Sequence, residues 1–561
     1  MNTAAEDPRA RRRERLLAWG PTVLALAVSL AVTLRAHAHF LYPYATPVSN
    51  DEGYISALGL RMIRGHWLPY VDGVSQRGPI LYWLAAIAMR IGGMWSWIPI
   101  RVLALLCGLA TLGLVFALTL ELFTPAAAAI AVLVSTYFFT YELNPWDGLG
   151  FNGEVVAMVF ALASWLLVAR AMRPADGPRA LVRRRDAHIF AAGVLAACAA
   201  LSKQMAIIHA APIAAWLLLG TNDPNSTPRS RTRDVIRFVV GGAIPFAVVL
   251  AIFGAAGHLK EFFYYYQRYG RDIFMAPVTL NSYRDKLREQ FDKYLFGIVV
   301  VGTLGWLLAA RVFRRIADHD GPRGTGLRAE AGVLVTFLQL LASVVGASFT
   351  GRFFPHYFVE VFSVAAVVAG GALAANVAPA RASLRGRFVG SLTLVLGASA
   401  LLALCAWNLH RNVRLRRETD RWYQDPHTDP IVRYVLERTE PNERIFVWGF
   451  RAETYVSAQR MPASRFVYTV YPAGVVPWFQ ATRDEEERRV VPGSRAQLLA
   501  DLDRERPELI IDAGRTLSGR YMYNYPQLRA YLDRGYCFMR YVDGEPVYRR
   551  RHGDTCPPAD Y

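Results

Sequence analysis

Residues 16–54 read LLAWGPTVLALAVSLAVTLRAHAHFLYPYATPVSNDEGY, and this stretch decides the fold class. It opens with an apolar run close to the ~20 residues that an α-helix needs to cross hydrocarbon. It closes with the acid pair Asp51-Glu52, just beyond that run. Similar apolar runs recur up to residue 408, and 53% of the 561 residues are hydrophobic. The sequence therefore predicts an α-helical polytopic membrane protein.

Eleven apolar runs are candidate membrane spans. Arginines are concentrated before the first span and in the loops that alternation places on the same side, which predicts a cytoplasmic N-terminus. Ala36-His37-Ala38 is similar to a signal-peptide cleavage site, and such cleavage would leave the rest of the topology unchanged. The predicted spans are residues 16–36, 98–120, 124–141, 153–170, 188–201, 205–220, 234–256, 295–312, 329–350, 356–376 and 388–408.

The net charge of +18 lies largely in the short loops that this topology places inside. Such loops orient the spans in the membrane, so the charge is explained without a polyanionic partner. The sequence also contains no nucleic-acid-binding motif. We therefore expect membrane lipids, and not nucleic acid, as partners.

Residues 188–220 contain one polar interruption, Ser202-Lys203-Gln204. A single long helix would reverse the side of every later loop and place three basic loops outside. Two short helices keep those loops inside, so this interpretation is favoured. Short interrupted spans are typical of helices that line a binding site.

Four segments follow from these patterns. Residues 1–408 are predicted to form the transmembrane module, with interfacial helices in the 38–97 loop. Residues 409–421 are a basic linker, and residues 422–561 are predicted to form an extracytoplasmic α/β domain.

The α/β domain carries local signals for a small sheet. Asp543-Gly544 predicts a hairpin turn. Cys537 and Cys556 are candidates for a disulfide if the domain lies in an oxidising compartment. The predicted elements are strands 444–449, 508–512, 537–542 and 546–550 and helices 496–506 and 525–535.

Asp51 and Glu52 are the candidate catalytic residues. Ser49 followed by Glu52 forms a capping-box pattern, which predicts an amphipathic helix beginning here in the membrane interface. The acids alternatively serve only to stabilise the N-terminus of this helix. The two interpretations are compatible, because a helix N-terminus also holds Asp51 ionised and in place.

Basic residues at breaks on the same outer face are candidates for binding a phosphate. Arg77 lies before Gly78-Pro79, at the predicted start of an apolar helix. Lys203 lies at the break described above, and Arg352 and His356 lie in a later outer turn. The alternative for each is a basic side chain that reaches to the interface. Secondary candidates for substrate binding are Tyr54, Asp72, Tyr82, Asn152, Glu154 and Tyr357.

The predicted outer loop 257–294 is rich in aromatic residues, including Phe262 to Tyr266. An aromatic belt at headgroup depth explains this composition. A flexible lid over a lipid-bearing site is the alternative interpretation.

A carboxylate beside several cations at headgroup depth suggests a lipid phosphate as the ligand. Nucleotide sugars are absent outside the cytoplasm, so group transfer there needs an activated donor delivered through the bilayer. A polyprenyl-phosphate-linked sugar meets this requirement. Asp51 would then act as general base, and the cations would stabilise the departing phosphate. A metal is not required by this scheme, although a divalent ion is compatible with it.

Two further interpretations remain open at this stage. A transporter or flippase for a lipid-linked sugar would use the same cations without a base, but the sequence shows none of the repeats common in transporters. A non-catalytic envelope-assembly protein whose tail binds a partner is the other interpretation.

The chain resembles the GT-C glycosyltransferases, and within them the bacterial protein O-mannosyltransferase-like group that includes the lipid A aminoarabinose transferases. The resemblance rests on an acidic pair in the first outer loop, a Tyr-x-Asp stretch, a cation before Gly-Pro and motifs in later loops and the tail. In this chain they are Asp51-Glu52, Tyr70-Val71-Asp72, Arg77-Gly78-Pro79, Leu201-Ser202-Lys203-Gln204, Arg352–Tyr357 and Val447-Trp448-Gly449 with Tyr455.

The resemblance implies a polyprenyl-phosphate-sugar donor, Asp51 as catalytic acid/base and basic residues that hold the phosphate. It also implies a bacterial inner-membrane location with a lipid, glycan or protein acceptor outside. One departure concerns Arg77, where the group often has Lys. Arginine binds phosphate in a bidentate manner, so the phosphate role is retained while the two residues are not interchangeable.

Overall fold

The computed structural model describes residues 8–41, 50–143, 145–172, 180–220, 227–274, 281, 283–290, 302–303, 305, 307, 309, 330–380, 429–475, 481–553 and 556. Eleven main helices lie in the described part of residues 8–380. They are α1 (Pro8–Leu41), α2 (Asn50–Arg64), α3 (Pro79–Gly92), α4 (Ile98–Leu122), α5 (Pro125–Tyr137), α6 (Gly153–Ala171), α7 (Ala180–Ser202), α8 (Ala210–Leu219), α9 (Pro228–Ala255), α10 (Ala331–Ser348) and α11 (Phe358–Ala380).

Six stretches of these helices are long and apolar enough to cross a membrane, by length and composition, within the described residues. Four shorter apolar helices accompany them, at Thr22–Ala38, Pro79–Gly92, Pro125–Thr140 and Gln204–Leu219. The bundle therefore has the predicted membrane character. The predicted spans 295–312 and 388–408 and the linker 409–421 fall wholly or largely outside the described residues.

Helix α2 begins at Asn50, at the acid pair, as the sequence predicts. The Ser49 half of the predicted capping box lies outside the described residues. The helix is not an exposed interfacial helix, because most of its side chains, including Ile55 and Leu58, are fully buried. One side contacts α3 and the other contacts the tail domain. This sandwich fixes the N-terminus of α2 between bundle and tail.

The predicted break at Lys203 is present. The first of the two helices that flank it is longer than predicted. Helix α7 is 23 residues long and ends at Ser202. Lys203 then adopts an extended backbone conformation, and a 3₁₀ turn at Gln204–His209 leads into α8. Sequence reasoning placed the N-terminus of α7 too late because Arg183 to Arg185 were assigned to the loop.

The tail is an α/β domain built on one four-stranded sheet. The strand order is β1 (Ile445–Gly449), β2 (Leu509–Ala513), β4 (Glu545–Arg550) and β3 (Tyr536–Val542). Strands β1 and β2 pair in parallel, whereas β4 pairs antiparallel with both neighbours. The helices that cover the sheet include α12 (Pro430–Arg438), α13 (Glu453–Ser457), α14 (Arg483–Arg489), α15 (Ser494–Glu505) and α16 (Pro526–Gly535).

The end of the chain is held to this sheet. The hairpin β3–β4 turns at Asp543-Gly544, where both residues have positive φ angles. Cys537 and Cys556 form a disulfide that ties strand β3 to the segment after strand β4.

Candidate active site

A cavity of about 1080 Å³ lies where the bundle meets the tail domain. Its polar lining comes from several separate elements of the bundle. Its apolar lining comes from α9, the 3₁₀ turn after α7 and the aromatic segment after α9. The polar group includes Asn50, Asp51, Gln76, Arg77, Asp147, Asn152, Glu154, Lys203, Gln204, Gln267, Arg271, Thr350 and His356, and the apolar group includes Ile207, Phe246, Leu250, Phe262 and Phe263.

Asp51 and Arg77 are in direct contact in this cavity. The Arg77 Nη2 atom donates to Asp51 Oδ1 at 2.7 Å, and the two side chains are about one-fifth exposed. His356 Nε2 lies 3.8 Å from the other carboxylate oxygen. Burial raises the pKa of Asp51, but the charges of Arg77, His356 and Lys203 outweigh it and hold the pKa below its ordinary value. Asp51 is therefore an ionised, oriented carboxylate.

Lys203 occupies the second cationic position, between two buried carboxylates. Its Nζ atom lies 2.6 Å from Glu154 Oε1 and 3.1 Å from Glu360 Oε1. The ammonium also lies 4.1 Å from the ring centroid of Tyr357. These contacts hold the positively charged ammonium group of Lys203 in place on the wall of the cavity.

The polar network continues from Glu360 into the bundle. His209 Nε2 lies 3.7 Å from Glu360 Oε2, and His209 Nδ1 lies 2.8 Å from Gln339 Oε1. The Gln339 amide in turn donates to the His209 carbonyl at 2.9 Å. Sequence reasoning missed these three residues, although a lone acid inside an apolar span is itself a functional signal. Their position identifies Glu360 as a positioning residue for Lys203.

Backbone contacts fix the spacing between Arg77 and Lys203. The Gly78 N–H donates to the Ser202 carbonyl at 3.3 Å. A Cβ atom at Gly78 would lie 1.9 Å from the Leu201 carbonyl oxygen, so only glycine permits this approach. The Gln204 amide adds a bridge by donating to the carbonyls of Gln76 and Tyr266. Both cations are thereby carried by one docked pair of loops.

The tail supplies a further wall of the cavity, which the sequence did not predict. Tyr468 stacks on Tyr54 with ring centroids 4.3 Å apart, and its hydroxyl donates to the Asn50 carbonyl. Tyr471 lies 3.1 Å from the Tyr54 hydroxyl and contacts the ring of Tyr269. The aromatic segment predicted as a belt or a lid therefore touches the tail; closure as a lid stays a prediction.

Most predicted site residues line this cavity, but four do not. Those that line it are Asp51, Arg77, Lys203, His356, Tyr54, Asn152, Glu154 and Tyr357.

Glu52 is buried and does not line the cavity, so the geometry does not support its predicted catalytic role. Its Oε1 atom accepts from the Phe151 N–H at 3.2 Å, and its Oε2 atom lies 3.9 Å from Arg101 Nη2. These contacts turn the Glu52 side chain toward the bundle, whereas Asp51 lines the cavity. Glu52 instead anchors α2 to the bundle.

The predicted roles of Arg352, Asp72 and Tyr82 are also not supported, because none of them lines the cavity. Burial lowers the pKa of Arg352, Tyr357 partly opposes this shift, and Arg489 of the tail adds to it. Asp72 accepts from the backbone N–H groups of His66 and Leu68, so it shapes its own loop. Tyr82 is fully buried and bonds to Ser75.

The cavity contains acidic and imidazole groups of the kind that can bind metal ions, including Asp51, Glu154 and His356. No group of three or more His, Cys, Asp or Glu side chains among the described residues is arranged to hold a metal ion. Metal independence stays a prediction that a chelator experiment can test.

Comparison with known proteins gives a family match for part of the chain and similar solved structures. Residues 76–253, which include Arg77 and Lys203, match the family model of dolichyl-phosphate-mannose-protein mannosyltransferases. The structure is similar to crystal structures of ArnT from Cupriavidus metallidurans, with and without undecaprenyl phosphate. The form bound to undecaprenyl phosphate has 15% identity and a TM-score of 0.54, and the match covers 96% of this chain and 100% of that chain. The apo form has the same identity and TM-score, with 94% and 97% coverage.

An oligosaccharyltransferase from Archaeoglobus fulgidus is also similar in structure. It has 12% identity and a TM-score of 0.52, and the match covers 87% of this chain and 69% of that chain. The chain has the GT-C fold. The GT-C comparison and the family match together support a membrane glycosyltransferase that resembles the ArnT and protein mannosyltransferase group. No curated protein matches the sequence significantly.

Proposed function

We propose that the protein transfers a sugar from a polyprenyl-phosphate-linked donor to an acceptor hydroxyl at the extracytoplasmic face of a bacterial inner membrane. Asp51 acts as general base, and Arg77 and Lys203 hold the lipid phosphate. The acceptor is a lipid, a glycan or a protein. The observation that carries this proposal is the direct contact between Asp51 and Arg77 inside a cavity with one apolar flank.

The two kinds of lining suit a lipid-linked donor. The apolar flank, which includes Phe246 and Leu250 of α9, suits the first isoprene units of a polyprenyl chain. The cationic region beyond it suits the phosphate, because arginine binds phosphate oxygens in a bidentate manner and lysine adds a point charge. The match of residues 76–253 to a lipid-phosphate-mannose-dependent family supports the same donor class.

The proposed reaction is a single displacement. The acceptor oxygen forms a bond to the anomeric carbon while the bond from that carbon to the phosphate oxygen breaks. The proton of the acceptor hydroxyl passes to Asp51, and the bonding electron pair leaves with the phosphate. Arg77 and Lys203 are fixed before the reaction starts, so they stabilise the developing charge without reorganisation. No step in this scheme needs a metal.

The apo arrangement keeps both cations occupied. Arg77 contacts Asp51, and Lys203 lies between Glu154 and Glu360. A donor phosphate would share these cations with the carboxylates. Arg77 would then contact the base and the leaving group at the same time, which places the acceptor hydroxyl beside the bond that breaks.

Mass spectrometry of envelope lipids, glycans and glycoproteins from cells with and without the protein would identify the sugar and its carrier. Asp51→Asn should remove the transferred mass, with a loss of about 10²- to 10⁴-fold in turnover, because the general base is lost. Undecaprenyl phosphate should still bind this variant. Asp186→Asn, which alters a surface ion pair with Arg237, is the matched control and should leave transfer unchanged.

Two results would contradict the proposal. Transfer by Asp51→Asn at the wild-type rate would remove the role of the base. Movement of the lipid-linked sugar across the membrane without any change in glycan mass would instead support a flippase.

A further inference from the structure

A second pocket, of about 470 Å³, lies beside the catalytic cavity on the tail side. Asn50 and Phe450 line both pockets, so the two pockets adjoin at these residues. Asn50 directly precedes Asp51 in α2. The tail reaches this position by a close approach of backbones. A Cβ atom at Gly53 would lie 3.0 Å from the Glu453 nitrogen. The second pocket is therefore built by the contact between α2 and α13.

The charge of this pocket is compensated. Arg451 lies 2.5 Å from Asp429 and 3.1 Å from Asp543. Arg515 lies 3.2 Å from Glu545. Each of the two guanidinium groups therefore already has at least one carboxylate partner.

A phosphate or an acidic peptide would have to displace carboxylates from Arg451, because each of its three nitrogens faces one, with Glu453 Oε1 3.7 Å from Nε. The arrangement favours a ligand without net charge. Arg77 in the catalytic cavity differs, since its buried Nη1 atom has no hydrogen-bond partner among the described residues and is left for a phosphate oxygen.

Glu453 provides a polar group for such a ligand. Its Oε2 atom is buried and has no hydrogen-bond partner among the described residues. Burial raises the pKa of Glu453 to about 7 against the opposing charge of Arg451. Near neutral pH the carboxyl group is therefore often protonated, so it both donates and accepts.

The remaining lining combines an aromatic face with hydroxyl groups. Phe450 is half-buried, and the hydroxyl of Thr516 holds its backbone N–H at 2.8 Å. Ser518 adds a second hydroxyl on the exposed rim. An apolar ring face beside neutral polar groups matches the surface of a sugar ring, which has C–H faces and hydroxyl edges.

We infer that this pocket is the acceptor subsite and that it binds a neutral saccharide unit, whose hydroxyl is presented to Asp51. This inference rests on the proposed function and narrows its acceptor to a glycan or a glycolipid sugar. The donor enters along the apolar flank of the catalytic cavity, whereas the acceptor approaches from the tail side. Asn50 and Phe450 lie at the meeting point of the two paths.

The test uses the full-length protein in lipid nanodiscs on an array of neutral glycans, phosphorylated glycans and Ser/Thr peptides. Neutral glycans should be retained. Glu453→Leu removes the carboxyl group and Phe450→Leu removes the ring face, and each should weaken the best-retained glycan about tenfold. Glu487→Gln, which alters an exposed pair with Arg495, is the control and should bind as the wild type does.

The wild-type array result is decisive even if a variant fails to fold. Retention of peptides or phosphorylated glycans alone, or of no glycan at all, would overturn the inference, as would unchanged glycan binding in both variants. Undecaprenyl phosphate binding, measured by native mass spectrometry on wild type and Arg77→Ala, separates the two proposals. If it is present and depends on Arg77 while glycans are not retained, only the acceptor inference fails. If it is absent, the proposed function fails as well.

Discussion

The catalytic cavity has two walls of different character. The bundle wall carries the charged residues Asp51, Arg77, Lys203 and Glu154. They form two ion pairs, Asp51 with Arg77 at 2.7 Å and Glu154 with Lys203 at 2.6 Å. The tail wall carries the aromatic residues Tyr468, Tyr471 and Phe450. The two tyrosines contribute hydroxyl groups, and none of the three carries a charge. Under the proposed function, this difference leaves bond making and breaking to the bundle, and the shape of the acceptor path to the tail. Each wall can therefore be altered separately.

After loss of the base itself, removing the bundle cation in contact with it should give the largest effect. Arg77→Ala should lower turnover about 10²- to 10³-fold, because a preorganised donor to the departing phosphate is lost. Undecaprenyl phosphate should bind more weakly, while glycan binding should change less. Arg64→Ala, an exposed arginine at the end of α2, is the control. Wild-type affinity for undecaprenyl phosphate in Arg77→Ala would contradict the phosphate role.

The second bundle variant separates positioning from binding. Glu360→Gln should lower turnover about tenfold to a hundredfold, because Lys203 loses a contact that fixes its position. Undecaprenyl phosphate should bind at least as tightly, since a negative charge near the phosphate is removed. Both quantities are measured per folded protein, because breaking a buried pair costs about 3–5 kcal/mol.

Asp234→Asn is the matched control for Glu360→Gln. Asp234 is a buried acid that pairs with Arg185 near the opposite end of α7 from Lys203. The Asp234→Asn variant should have a lower free energy of unfolding, while the turnover of its folded fraction stays unchanged. Equal losses of turnover in both variants would point to a general structural effect.

A change in the tail wall should have a smaller effect. Tyr468→Phe removes the hydrogen bond to the Asn50 carbonyl but keeps the stacking on Tyr54. Turnover should fall about two- to tenfold, as expected for one hydrogen bond. Tyr536→Phe is the control, because its hydroxyl also bonds to a backbone carbonyl in the tail, far from the cavity. A loss as large as that of Arg77→Ala would contradict the division between the walls.

The smallest effect is expected from pH acting on Asp51. The pKa of Asp51 lies below its ordinary value, so the carboxylate is already ionised above about pH 4. Raising the pH from 5 to 8 should therefore not increase the fraction of protein with an ionised base. Any acid limb in that window should come from His356, whose imidazole lies 3.4 Å from Asp147, 3.7 Å from Glu154 and 3.8 Å from Asp51. His356→Gln should remove this limb from the pH profile of turnover. A limb that persists in His356→Gln would show that Asp51 titrates in this range.

Local signals allowed part of the bundle to be predicted. The break at Lys203 and the helix start at Pro79 are marked by a charge in an apolar run and by a Gly-Pro pair. The turn at Asp543-Gly544 is equally local and is present in the structure. Features of this kind depend on neighbours in sequence, so one chain is enough to find them.

The tail wall could not be predicted, because Tyr468 meets Asn50 across 418 positions and nothing local marks either residue as a partner. The adjacent acids Asp51 and Glu52 were both predicted to be catalytic for a related reason. Both acids carry the same local signal, and only the packing of α2 shows that Glu52 faces Arg101 instead of the cavity.

The close approach of Gly78 to Leu201 has one more consequence. The main chain itself sets the distance between Arg77 and Lys203, the two proposed phosphate-binding residues, and so acts as a clamp of fixed width. Side chains elsewhere around the cavity can then vary without disturbing the grip on the carrier lipid. A change of sugar or of acceptor would require new side chains on the tail or near the aromatic segment, while the clamp stays as it is.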